Sequence, residues 1–392
     1  MSRCWIERSS GGFVLSQKHL PLAVKIATTT KEREAIFRFR YHVYVNELKL
    51  QQERADHHRQ WLHDPYDDGA ILFYIDDGRE VVATLRRILG GSDSQWSSGW
   101  RNAFALDRFA EFSPAALSVS DRFMVADRWR NSTLAGQLVV AAYCHAREQG
   151  LQFDFALSRL HLIDLYEHLG FRRYTRNYYE ESHGGLLVPM VFVIEDTAYL
   201  RSVGSPVARA ARHFTDDSTT GEWFCRQFVQ QPPLLPARLG SPEQWWSQLA
   251  CSLGGPLEQR VSLLRGVSAR EVKLLLKRSI LHPVQGGEVI LQPGTHLGAL
   301  YIVVSGAVEL SFPGCDRPAE MLRSGCCFGA EGILDSSPSQ SKAVAVGDVQ
   351  LLVLPEVVLT QGLEAGSEAV RRVLINLAED RQQLLPCALA EV

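Results

Sequence analysis

Apolar positions recur at helical spacing from Lys31 onward, where Ala35, Ile36, Phe39 and Val43 share a face and Arg33, Arg38, Arg40 and Glu47 are interleaved. This predicts a partly buried helix with a basic flank. The period then changes to that of strands over Ala70 to Asp76 and Val81 to Ile88, joined by the hairpin signal Asp77-Gly78. Gly90 to Pro114, rich in Gly, Ser and Trp, reads as a long loop. Leu117 to Val125 alternates again, placing Leu117, Val119, Asp121, Phe123 and Val125 on one side of a strand. Asp121 stands out there, because a carboxylate among apolar neighbours is either paired with a cation or holds a raised pKa suited to a base. Leu134, Leu138 and Ala142 then line a helix that Gly150 ends, and Leu151 to Leu157 form the next strand. The short amphipathic segment Leu165 to Phe171, L-Y-E-H-L-G-F, follows, with Gly170 in the helix-ending position. A last strand, Leu186 to Ile194, is interrupted by Pro189.

Between about Arg201 and Gly255 the turn signals Asp216-Asp217-Ser218, Pro232-Pro233 and Gly240-Ser241-Pro242 separate short aromatic helices. Beyond them, Ser268-Ala269-Arg270-Glu271 is a capping box that starts a helix. Short strands then alternate with glycine turns, and a final helix carries Val370, Val373, Leu374, Leu377 and Leu384. The expected organisation is a flexible lead over 1–20, a first domain over 21–205, a connector over 206–254 and a second domain over 255–392.

Composition narrows the function classes. The chain has 392 residues, too many for one typical core, with 46% hydrophobic and 22% charged positions and a formal net charge of -3. That balance argues against a general affinity for nucleic acid, and no helix-turn-helix pattern is present. The absence of a long apolar run and of a signal-peptide core predicts a cytoplasmic protein. Eight cysteines without a C-x-x-C pair make a zinc site or disulfide framework an unsupported expectation, and no metal site is expected.

Four features together resemble a known family. These are the helix F-R-F-R-Y-H-V-Y-V-N-E-L (Phe37 to Leu48), Asp64-Pro65-Tyr66-Asp67, the Arg-bearing strand A-T-L-R-R-I and S-D-R-F-M-V. In this order they resemble the acyl-homoserine-lactone (autoinducer) synthases and the long-chain N-acyl amino acid synthases, which are GCN5-related N-acyltransferases. The Y-x-x-x-G-F ending of the helix at Tyr166 and the closing L-V-P-M-V-F-V are similar to the same group. The resemblance implies an α/β (α+β) fold with a splayed mixed sheet. It also implies transfer of a long-chain acyl group, from acyl carrier protein or acyl-CoA, to the amine of an amino acid or similar small acceptor. In such enzymes the Tyr166 equivalent protonates the departing thiolate, and Arg40, Asp64, Asp67, Arg86 and Arg122 fall on substrate-binding positions. The arginines are the natural partners of an acceptor carboxylate, or are tied to Asp64 and Asp67 as a structural network. The family's Glu three residues before Arg122 is replaced by Val119, so the resemblance does not assign the general base, for which Asp121 is a candidate.

Acetyl-CoA enzymes of the superfamily hold pyrophosphate with R-G-x-G-x-[GA]. Here the segment is Arg130, Asn131, Ser132, Thr133, Leu134 and Ala135, without either glycine, which points to acyl carrier protein as donor. No tightly bound cofactor is implied. The last 137 or so residues, with G-E-V-I-L-Q-P-G and L-Y-I-V-V-S-G-A-V-E-L, resemble a cyclic nucleotide-binding domain, a mainly β jelly roll with flanking helices. Its cassette falls on Phe328, Gly329, Ala330 and Glu331, but the ribose-binding Glu becomes Ala330 and the phosphate-binding Arg becomes Ser339. A degenerate cassette is the expectation, with a cyclic-nucleotide-regulated protein lysine acetyltransferase, a lactone-forming synthase and a non-catalytic regulator as the alternatives.

Overall fold

The computed structural model describes residues 22–48, 54–91, 96, 98–130, 132–180, 185–215, 219–228, 242–295, 298–314, 318–330, 333 and 338–384. The expected lead over 1–20 lies outside them. The chain divides into two compact units, Met1–Leu157 with Glu167–Thr175 and Pro189–Gln230, and Ser158–Tyr166 with Arg176–Val188 and Gln231–Val392.

The first unit holds a mixed sheet in the order β1-β4-β5-β6-β7-β10, from Lys25–Ile26, Ile71–Asp76, Val81–Leu89, Leu117–Val125, Phe153–Arg159 and Gly185–Val193, of which Ser158–Arg159 and Gly185–Val188 are grouped with the second unit. Two short strands, β2 (Ala55–Asp56) and β3 (Trp61–Leu62), pair separately, and β8 (Phe171–Arg173) lies antiparallel to β10. Helix α1 (Thr30–Tyr41) begins at a capping box in which Glu32 returns to the Thr29 amide. Its apolar side packs Ile36, Phe37 and Phe39 with Leu72, Tyr74, Val81 and Ile88 of the sheet. Helix α3 (Leu134–Glu148) covers the other face, where Leu134, Leu138 and Ala142 meet Phe73, Ile75, Val82 and Leu85. Because both faces are covered, β5 reads as a continuous apolar run broken only by polar residues that have buried partners.

Two expectations change. The stretch Gly90 to Pro114 is not one long loop, because it folds into α2 (Ser98–Ala103) and two turns of 3-10 helix. Trp96, Phe104, Leu106 and Phe109 bury their rings and side chains against Phe153 and Phe155, and so order the segment. Trp223, Phe224 and Phe228 of α7 (Thr219–Phe228) join that aromatic cluster. In the chain, α4 (Ile163–Leu169) follows β7, and α5 (Thr197–Ser202) and α6 (Val207–Ala211) follow β10. Strand β6 also does not keep one apolar face. Leu117 and Val119 belong to the aromatic cluster, whereas Phe123 and Val125 pack on the α3 side and Met124 on the α1 side. The phase slips at a bulge between them.

The second unit holds β9 (Tyr178–Glu180) and the jelly-roll strands β11 (Ile280–Val284), β12 (Val289–Leu291), β13 (Ala299–Ser311), β14 (Glu320–Arg323), β15 (Cys327–Phe328) and β16 (Lys342–Pro355). β13 and β16 form its antiparallel centre, flanked by β11, β12, β14 and β15. Helices α8 (Pro242–Leu253), α9 (Leu257–Arg260), α10 (Ala269–Leu275), α11 (Glu356–Glu364) and α12 (Glu368–Leu384) surround it. The Ser268–Glu271 capping box forms as expected. Val370, Val373 and Leu377 close the core with Leu264, Leu276, Ile302 and Leu352. Among the described residues no helix is long and apolar enough to cross a membrane.

Candidate active site

The site in the first unit starts with a turn. Asp64 caps the single 3-10 turn Pro65–Asp67 by accepting from the Tyr66 amide at 3.0 Å, and Asp67 accepts from the Asp64 amide at 2.9 Å. This double cap fixes two carboxylates side by side, facing the α1 side of β5. Arg40 of α1, wholly buried, donates to Asp67 at 2.7 Å. Arg86 of β5 donates to Asp64 at 2.6 Å, lies 3.0 Å from Asp67, and forks onto Asp121 at 2.7 and 2.6 Å. Arg122 completes the cluster with a 3.0 Å bond to Asp64, its guanidinium over the Tyr44 ring. Three guanidinium and three carboxylate groups balance, which is the condition under which charges are tolerated in an interior.

The electrostatics follow the geometry. Burial alone pushes the Asp64 carboxyl up, but the hydrogen bond and charge of Arg86, with Arg122 added, hold it at about 2. Asp67 is likewise lowered, Arg40 and Arg86 overcoming burial. Arg40 is lowered because burial outweighs its bond to Asp67, whereas Arg86 is raised because three carboxylates outweigh burial.

Exposure rises along the cluster from 0% for the Arg40 and Asp67 side chains to 18% for Arg122 and 29% for Asp121. Among the described residues of the cluster, Asp121 and Arg122 are the ones whose side chains reach solvent appreciably. Beside them the β5–β6 register passes from Arg86↔Asp121 to Thr84↔Met124, so Leu85 faces both Arg122 and Phe123. This bulge puts Arg122 in the left-handed region, at φ 50°. β6 is also where the sheet splays, since its parallel register with β7 stops at Val119↔Phe155 although β6 runs on to Val125.

Of the other candidates, Arg130 is tied to Asp127 at 3.1 Å and to Glu47, and Ser132 accepts from the Leu134 amide at 3.3 Å. Thr133 accepts from Gln137 at 3.0 Å, and Ala135 lies in the first turn of α3. Asn131 and Glu331 lie outside the described residues. Tyr166 is buried on α4, and groups with the second unit. Gly170 ends α4 at φ 121°, where a Cβ would come within 2.5 Å of Leu200 and 2.8 Å of Phe192, so only glycine fits. In the second unit Phe328 stacks on Tyr301 and Gly329 is at φ 91°. Ala330 packs on the core, and Ser339 bonds within its own turn to Ser341.

Sequence reasoning missed a second buried node. Arg87 faces the opposite side of β5 from Arg86, donating to Asp154 at 2.9 Å and to the Ala142 carbonyl at 2.5 Å. Asp154 also accepts from Ser118 at 2.8 Å and Ser120 at 2.6 Å, pinning β5, β6, β7 and α3 together below the splay. The signal was available, because consecutive arginines in a buried strand must find partners on both faces. Among the described residues no group of His, Cys, Asp and Glu is placed to hold a metal ion.

Comparison with known proteins agrees with this architecture. Residues 35–193 match the family model of the N-acyl amino acid synthase FeeM, and residues 281–365 match that of the cyclic nucleotide-binding domain. Similar solved structures include the catabolite activator protein of Thermus thermophilus, at 29% identity and TM-score 0.28, over 31% of this chain and 59% of that one. They also include the CoA-dependent acyl-homoserine lactone synthase BjaI with MTA, at 17% identity and TM-score 0.36, over 47% of this chain and 93% of that one. A third is the CoA-dependent acyl-homoserine lactone synthase MesI, at 16% identity and TM-score 0.36, over 48% and 90%. No curated protein matches. Residues 35–193 therefore form an acyltransferase domain similar to the N-acyl amino acid synthases, and residues 281–365 a domain similar to those that bind cyclic nucleotides.

Proposed function

We propose that the first domain moves a long-chain acyl group from acyl carrier protein to the amine of an amino acid or a similar small acceptor. The observation that carries this reading is the open Asp121–Arg122 edge beside the β6 bulge. Arg122 is the guanidinium with exposure to receive an acceptor carboxylate, whereas Arg40 and Arg86 are spent on buried carboxylates. Asp121, forked by Arg86, holds the acceptor ammonium while a proton leaves through water. An α-ammonium, with an ordinary pKa near about 8, needs to lose only one proton to become a nucleophile. Its nitrogen then attacks the thioester carbonyl, and the backbone amides of the bulge stabilise the oxyanion. The C–N bond forms, the C–S bond breaks, and Tyr166 returns a proton to the thiolate.

The donor assignment rests on the segment before α3, where side chains of Ser132 and Thr133 stand in place of bare amides. A side-by-side assay of long-chain acyl carrier protein against acetyl-CoA tests it, with mass spectrometry of lipids from overproducing cells to read the acceptor. Faster transfer from the carrier protein and a new N-acyl amino acid are expected. Equal or better turnover with acetyl-CoA would sink the donor assignment, and absence of any N-acyl product would sink the reading.

A further inference from the structure

The helix that carries Tyr166 is preceded by one turn of 3-10 helix, Leu160–Leu162, and its middle residue is clamped within the second unit. The His161 ring lies so close over Gly298, at the start of β13, that a Cβ there would come within 2.7 Å of Cδ2 and 2.8 Å of Cγ and Nε2. Gly298 is not among the residues with left-handed backbone, so its conformation would admit other residues. The imidazole, not the backbone, requires glycine there. Burial, with the nearby Arg159 charge, holds His161 at about 3, so the wedge is a neutral ring at any working pH. Arg159 also acts on Tyr301, the residue three after Gly298, whose ring stacks on Phe328 at 5.0 Å. The first residues of β13 thus carry both the Tyr301–Phe328 stack and, just before them, the Gly298 seat of His161, which stands five residues before Tyr166 in the chain.

We propose that His161 is a positioning residue, its ring socketed on Gly298 so that the jelly-roll unit seats the helix bearing Tyr166. The placement of Tyr166 then depends on packing within the second unit, whether or not that unit holds a ligand. This rests on the acyl-transfer reading for its kinetic arm alone, because the seating itself is read from amide exchange.

The test uses the full chain with Gly298→Val, His161→Ala, the double variant and each in a Tyr166→Phe background. Gly298→Val is expected to speed amide exchange over Ile163–Leu169 and to lower the single-turnover rate about tenfold or more with KM unchanged. Adding His161→Ala makes room for the new side chain and should return both to within about threefold of the unmodified chain. In the Tyr166→Phe background the valine should cost nothing further, since both act through one hydroxyl. Unchanged exchange over the helix, or the full tenfold loss repeated without the hydroxyl, overturns the proposal. Should Gly298→Val not fold, His161→Leu, which demands no space at Gly298, is expected to loosen the same helix, and a wild-type exchange rate in that variant overturns it equally. If the unmodified chain transfers no acyl group, the functional reading fails while the exchange arm still decides whether His161 seats the helix.

Discussion

Asp64 shows how a single carboxylate reports on the cluster. Its folded carboxyl sits at about 2 against an ordinary 3.8, and a lowered folded value contributes stability above the unfolded pKa that is lost as pH falls through the folded one. The effect is on the order of 2 kcal/mol at neutral pH. Asp64→Asn should therefore be less stable than the parent at pH 7, with the gap closing between about pH 4 and pH 2. Urea unfolding at each pH measures it, and a gap that stays constant would show that the ion cluster does not hold Asp64 charged. At the same scale, Tyr166→Phe removes one hydroxyl from a buried helix residue and should lower the chemical step by about ten- to a thousand-fold without unfolding the chain. An unchanged single-turnover rate would return Tyr166 to an ordinary core role. The residues of the cluster were legible because Asp64-Pro65-Tyr66-Asp67 and the arginine strand occur in a recognisable order. Their pairing was not, since sequence spacing says nothing about which of three guanidinium groups reaches which carboxylate.

At the scale of the element, β6 carries the most information. Periodicity located the strand correctly, but a strict alternation from Leu117 to Val125 assigned Phe123 and Val125 to the wrong face, because the strand is bulged. A bulge adds one residue without changing composition, so a period-2 reading runs through it undisturbed. The long loop failed for a related reason, because its aromatic residues fold by burial against β7 rather than by local periodicity. The bulge yields a prediction at Arg122, held at φ 50°. Asn tolerates this conformation and Val does not, the steric cost being about 1–2 kcal/mol. Arg122→Asn should keep the strand and raise acceptor KM about tenfold, through loss of the guanidinium alone. Arg122→Val should lose the same binding and, in addition, unfold at lower urea. Equal stability of the two variants would mean that the left-handed residue is not what sets the bulge.

For the whole molecule, two domains were readable from the change in pattern after Arg201, but the compact units do not follow sequence order: Ser158–Tyr166 and Arg176–Val188 fold with the jelly roll. Asn177 illustrates this, its amide bonding to the Pro283 carbonyl at 3.0 Å, to Glu288 at 2.9 Å and to His282 at 2.8 Å. Such long-range partners leave no periodic trace in a chain. They also decide how the second domain must be tested, since a fragment starting at 255 would lack two of its own segments. A cyclic phosphate buried in a jelly roll needs its charge met, and Arg supplies the charge-assisted bonds that do so. Here Ser339 is buried with its hydroxyl turned to Ser341, and Ala330 packs on the apolar core instead of reaching a ribose. Losing a buried charge contact costs on the order of 2 to 5 kcal/mol, or roughly thirtyfold to several thousandfold in Kd. Isothermal titration of the full chain with cyclic AMP and cyclic GMP should therefore give no binding at micromolar concentration. Micromolar binding of either nucleotide would show that another group, with Lys342 at the start of β16 the first to replace, meets the phosphate charge, and would make the domain a nucleotide sensor.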